Sequence, residues 1–165
     1  MLQQLLYRGP SIEVLHRDYA KQGRIDDQAP VTTSYQVHID APVQRVWALL
    51  SNPSGWQAFD PQIHDVHLDA PVTADTPFTW TNGRTRIKSR FAVVDPGREL
   101  TWTGVASGAK VVHRHLLAAD DGGTKVRCEE SMAGPGLVLF YNSAKLQAAL
   151  RTWLTALKAG AEEHR

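Results

Sequence analysis

Between Pro135 and Glu162, apolar residues return every three or four positions. Leu139, Ser143, Leu146, Leu150, Trp153 and Leu157 fall on one face of an α-helix, and Phe140, Leu154 and Ala161 widen it. Lys145, Arg151, Lys158 and Glu162 fall on the other side. At ~1.5 Å per residue such a helix is roughly 38 Å long. So bulky a face needs a broad apolar surface to lie on. The rest of the chain is expected to supply it as strands.

Val31–Ile39 alternates apolar and polar residues, the pattern of a half-buried strand. Asp40-Ala41-Pro42 starts a helix with Val43, Val46, Trp47 and Leu50 on its apolar face, and Asn52-Pro53 opens a second short helix through Trp56 and Phe59. Strands follow at 63–68 and 77–81. Asn82-Gly83 is a two-residue hairpin signal. Arg84–Val94, Glu99–Val105, Lys110–Ala119 and Thr124–Ala133 complete the set, joined by turns rich in Asp and Gly. Hairpin links imply antiparallel pairing. One sheet face should meet the helix and the other, polar, face should meet water. The fold class is α+β, with helices on one side of an antiparallel sheet.

Residues 1–30 read as a helical extension and linker, and residues 31–165 as the domain. Ser11 can cap a helix over residues 12–22 that Gly23 stops, packed on the outside of the domain.

At 165 residues the chain suits one core, and its net charge of +1 gives no field that would draw it to nucleic acid. One cysteine, Cys128, excludes an intramolecular disulfide. It is compatible with a cytoplasmic location, which is the expectation here, with no membrane span and no signal peptide. The basic stripe Arg84, Arg86, Lys88 and Arg90 reads as a solvated strand face.

Ile39-Asp40-Ala41-Pro42, Val46-Trp47, Leu49-Leu50 and Trp56 resemble the opening of the START-like polyketide cyclase and lipid-transfer superfamily, SRPBCC. Leu100-x-Trp102-x-Gly104, the His113 strand, Gly123-Thr124-x-Val126, Glu129-Glu130-Ser131 and Leu157-Lys158 resemble its later landmarks. The likeness spans about residues 31–162. It implies a helix-grip fold: a curved seven-stranded antiparallel sheet wrapped around the C-terminal helix, with a cavity between. The superfamily includes lipid carriers, aromatase/cyclases, hormone receptors and co-chaperones, and shares no single catalytic set. Members often carry tryptophans near both ends of the segment after the first helix. Here the second place holds Phe59, which would alter the cavity lining if that loop borders it.

Period two sorts the late strands into faces. Val111, His113, His115 and Leu117 point inward, as do Val126, Cys128, Glu130 and Met132. Phe78, Trp80, Ile87, Ser89, Phe91, Leu100, Trp102 and Gly104 join them, and the helix adds Leu146, Leu150 and Trp153. The candidate ligand-binding set is therefore Trp80, Ser89, Phe91, Trp102, His113, His115, Glu130, Leu146, Leu150 and Trp153. Such a pocket is mostly apolar with a few polar groups, the usual make-up of a small-molecule site. Counting back from the turn at 120–123 puts Glu130 near His113, which would keep a carboxylate tolerable in an apolar interior. If the chain is an enzyme, these two would be its acid and base.

His113-x-His115 offers two imidazoles on one face, but no third ligand is evident unless Glu130 serves, so no metal and no cofactor are assigned. Cys128 reads as a core thiol. No G-x-x-x-x-G-K loop and no G-x-S-x-G elbow occur. The expected function is binding or transport of a small hydrophobic ligand, lipid-like or aromatic. Polyketide cyclase/dehydratase chemistry and a co-chaperone-like partner module are the alternatives, and a homodimer is left open.

Overall fold

A computed structural model describes residues 1–163. The expected domain runs to Arg165, so its last two residues, His164 and Arg165, lie outside the described ones. Seven strands form one curved antiparallel sheet in the order β1-β7-β6-β5-β4-β3-β2. They are β1 (Val31–Ile39), β2 (Ile63–His67), β3 (Pro77–Asn82), β4 (Thr85–Asp95), β5 (Glu99–Ala106), β6 (Ala109–Asp120) and β7 (Gly123–Ala133). Helix α3 (Val43–Leu50) and a 3-10 turn (Pro53–Ala58) link β1 to β2, and the long helix α4 (Ser143–Glu162) lies across the inner face. The return of β1 alongside β7 puts the first strand under α4. Ser143 Oγ there accepts from the Thr32 amide at 3.1 Å.

Two expectations about α4 need correction. It begins at Ser143, not at 135, and so spans about 30 Å. Asn142 caps it, its side chain accepting from the Lys145 amide at 2.8 Å. Gly136 sits at φ +74°, and the chain before the cap forms only a 3-10 turn, Leu137–Leu139. Leu139 and Phe140 are therefore off the helix face and exposed, at 76% and 63%. From Leu146 onward the expected face holds: Leu146, Leu150, Trp153, Leu154, Leu157 and Ala161 are buried. Gly160 has a packing reason, since a Cβ there would stand 2.8 Å from Phe59 Cβ.

The outer face of the sheet is also not simply wet. The extension starts with a helix not foreseen from sequence, α1 (Leu2–Leu6), and continues as α2 (Ile12–Val14), a π-helical stretch (Leu15–Tyr19) and a 3-10 turn (Ala20–Gln22). Ser11 Oγ accepts from the Val14 amide at 3.2 Å, and Gly23 closes the segment at φ +71°, as expected. Leu15 and Ala20 bury themselves against Ala92 and Val112 on the outer sheet face. Ala92 reaches outward by the alternation of β4, in phase with Lys88 and Arg90, at a bulge between Phe91 and Val93. His16 is buried there: its Nε2–H donates to Asp75 Oδ1 at 2.9 Å and its Nδ1 meets the Thr103 hydroxyl at 2.7 Å. Burial holds its pKa below the usual imidazole value despite Asp75. Of the basic stripe, Arg84, Arg86 and Lys88 are exposed, and Arg90 pairs with Glu13 at 3.1 Å.

Candidate functional site

The inner face carries a continuous aromatic cluster. Trp56 is fully buried at its centre, with ring centroids 5.2–6.0 Å from Phe78, Trp80, Trp102 and Trp153. Its indole N–H donates to the Leu50 carbonyl at 3.0 Å, which ties α3 to the cluster. Phe59 packs on Trp153 at 5.6 Å and on Gly160, and does not border the cavity. The altered lining considered for that position does not arise.

Beside the cluster lies a cavity of about 300 Å³, between the sheet and the first half of α4. Trp80, Ser89, Trp102, His113, Glu130, Leu146, Leu150 and Trp153 line it, eight of the ten expected residues. Phe91 and His115 do not. Phe91 is stacked on Phe78 at 4.3 Å, and His115 lies fully buried beneath Trp153, whose Nε1–H donates to its Nε2 at 2.8 Å. Sequence reasoning missed Ile63, Ala106, Leu137, Phe140 and Tyr141 as lining residues. Tyr141 follows the break that ends the sheet, and only the fold brings that break to the cavity. Exposed Asn82, Thr85, Ser107 and Phe140 form the rim. Gly104 keeps the wall open, because a Cβ there would lie 2.9 Å from Ser89 Oγ. That hydroxyl accepts the Trp80 indole N–H at 3.1 Å.

Register explains the polar part of the wall. Trp102, His113 and Glu130 are direct cross-strand partners on β5, β6 and β7, and Leu100, His115 and Cys128 form the next inward row. His113 Nδ1 stands 3.1 Å from Glu130 Oε2, with both side chains about nine-tenths buried. The His113 ring stacks on Trp102 at 4.5 Å and on His115 at 4.5 Å. The paired imidazole and carboxylate expected from strand counting are thus in contact, with the imidazole packed in a three-ring cluster in which Trp102 and His115 also lie 5.0 Å apart. His113 is the sole polar partner of the Glu130 carboxylate among the described residues. The pair therefore keeps acceptor capacity for a group inside the cavity. Burial, with Glu130 nearby, pushes the Tyr141 phenol up, so it stays a hydroxyl donor at the cavity wall.

Cys128 Sγ lies 3.1 Å from His113 Nε2, giving a thiol–imidazole–carboxylate succession. The sulfur does not reach the cavity, and burial holds the thiol well above its usual pKa. That is the opposite of what a nucleophilic cysteine needs. Burial, then the neighbouring His113, holds the His115 pKa well below the ordinary imidazole value, so this ring is neutral. Its Nδ1 faces the Leu100 carbonyl at 3.3 Å and must carry the proton. His64 contacts Asp65 and the Gly83 carbonyl at the surface, and His67 is exposed, away from this site.

Residues 30–162 match the family described as polyketide cyclase/dehydrase and lipid transport, and the chain belongs to that family. No curated protein matches it significantly. Among solved structures it resembles the hypothetical protein jhp0584 of Helicobacter pylori, with a TM-score of 0.72 and 19% identity over 83% of this chain and 91% of that one. Protein CV1439 of Chromobacterium violaceum gives 0.66 at 14% identity, covering 81% and 98%. DynU16, from the dynemicin biosynthetic locus, gives 0.61 at 20% identity, covering 77% of this chain and 45% of that one. At these identities the likeness establishes the fold alone. No helix among the described residues is long and apolar enough to cross a membrane.

Proposed function

We propose that this member of the polyketide cyclase/dehydrase and lipid transport family binds one small hydrophobic molecule in the cavity under α4. The His113–Glu130 pair would fix the single polar end of that molecule. The observation that carries this reading is the wall itself: a cavity of about 300 Å³, indole and aliphatic over most of its surface, with one buried imidazole–carboxylate pair turned into it. That volume is at the lower end for small-molecule sites. It favours a compact ring-bearing molecule over a two-chain lipid. Apolar burial supplies affinity, at roughly 25 cal/mol per Å². A ligand hydroxyl donating to Glu130 supplies orientation, because an analogue lacking it leaves a buried acceptor unmatched.

Native mass spectrometry of the purified chain tests this. A co-purified small molecule, or a 1:1 complex with added 2-naphthol, is the expected result. Val111→Phe, which fills the cavity from β6, should abolish the complex. A chain that takes up nothing, or a complex untouched by Val111→Phe, would overturn the reading.

The same pair supports a second reading, a cyclase or dehydratase in which His113 and Glu130 move a proton on a bound polyketide. The specific observation is the 3.1 Å Nδ1–Oε2 contact at the cavity wall. Turnover of a poly-β-keto substrate that survives both His113→Ala and Glu130→Gln would remove these residues from the chemistry.

A further inference from the structure

One layer beneath the cavity wall, three soft or borderline donor atoms converge. His113 Nε2, His115 Nε2 and Cys128 Sγ all lie within 4.8 Å of one another, and all three residues are buried. The two ring nitrogens are 3.1 Å apart, and the sulfur is 3.1 Å from His113 Nε2. The far side of each ring is already anchored. His113 Nδ1 is held by Glu130 and His115 Nδ1 by the Leu100 carbonyl. A carboxylate or backbone carbonyl behind each ring is the outer-shell pattern that orients metal-binding imidazoles, leaving Nε2 as donor. Two nitrogens and one sulfur suit a borderline-soft ion, and three protein donors leave a fourth position free. Charge also balances: a divalent ion offsets the thiolate that forms as it binds and the nearby Glu130 carboxylate.

We infer that His113, His115 and Cys128 form a binding site for a borderline-soft divalent transition-metal ion of the Zn²⁺ class. One contact competes with the ion. The Trp153 indole N–H occupies the His115 Nε2 lone pair at 2.8 Å. Binding displaces that hydrogen bond and releases the Cys128 thiol proton to solvent, and the cavity beside Trp153 gives the indole room to turn.

The chain contains a single cysteine, so a thiolate-to-metal absorption band can come only from Cys128. Titration of the reduced full chain with Co²⁺ should give a near-ultraviolet thiolate-to-cobalt charge-transfer band that saturates at one equivalent and is displaced by one equivalent of Zn²⁺. Cys128→Ala should abolish the band. Trp153→Phe, which removes the competing donor, should lower the apparent dissociation constant for Co²⁺ several-fold. His115→Gln, which keeps a polar side chain of similar length, should weaken binding at least tenfold. Circular dichroism of each variant confirms that it has folded. Failure of the wild-type chain to show the band with excess Co²⁺ would overturn the inference, and so would binding confined to exposed imidazoles without any band.

Discussion

The two faces of the sheet each bury a histidine against a carboxylate, and they do so to different ends. On the outer face His16 has both ring nitrogens engaged, by Thr103 and Asp75, under a strap formed by the N-terminal extension. Asp75 is itself shared with Lys21 at 2.8 Å. On the inner face His113 meets Glu130 at a similar distance, but the pair borders a cavity and retains capacity for a further partner. Burial of a polar group is therefore not a functional signal by itself. What separates the two is whether the hydrogen-bonding capacity is spent within the chain or left facing a space a ligand can enter.

Substitutions can break this contrast. The largest effect should come from Trp56→Ala, which empties the centre of the aromatic cluster and removes the indole donor to the Leu50 carbonyl. A loss of about 3–5 kcal/mol in denaturant unfolding is expected. Leu15→Ala should cost about 2–5 kcal/mol by unpacking the strap from Ala92 and Val112, while leaving 2-naphthol binding unchanged. A parallel loss of binding would show that the outer strap shapes the cavity. Next, His16→Ala should lower stability by about 1–3 kcal/mol without affecting binding. Glu130→Gln should do the reverse, leaving stability within about 1.5 kcal/mol and weakening a hydroxyl-bearing ligand about tenfold, or about 1.4 kcal/mol.

A pH prediction sharpens the same comparison. The folded state holds His16 below its unfolded pKa of about 6.5. As pH falls beneath that value, the unfolded chain takes up a proton that the folded chain refuses, so stability is full above it and declines on acidification. His16→Ala should flatten the slope of unfolding free energy against pH between about 6.5 and 5. An unchanged slope would assign that dependence to other groups. The smallest effect belongs to the Arg90–Glu13 pair, where Glu13→Gln should change stability by less than about 1 kcal/mol.

Much of the architecture was legible because period two and turn chemistry act locally. The 120–123 turn set the β6–β7 register and so placed His113 opposite Glu130, whereas the β3–β4 loop falls one residue later than expected, on Gly83-Arg84, because Asn82 pairs with Thr85. The start of α4 was misread because apolar spacing runs on through Leu139 and Phe140. The Asn142 cap, which the sequence also contains, decides the boundary. Alternation places Phe91, His115 and Cys128 on the inner face but does not say how deep they lie. Depth depends on where α4 and Trp56 press against the sheet, which is a long-range outcome. The strap was expected on the outside, yet its burial of His16 could not be read, since that contact joins residues 87 positions apart.

The central claim is that Glu130 and His113 anchor the polar end of a hydrophobic ligand. It is tested most directly by comparing 2-naphthol with naphthalene in calorimetric or fluorescence titrations of the wild-type chain and of Glu130→Gln. The account predicts that the wild-type chain favours 2-naphthol by about tenfold, with the preference gone in Glu130→Gln and naphthalene affinity retained. Equal affinity for the two in the wild-type chain, or a preference that outlives the carboxylate, would contradict it.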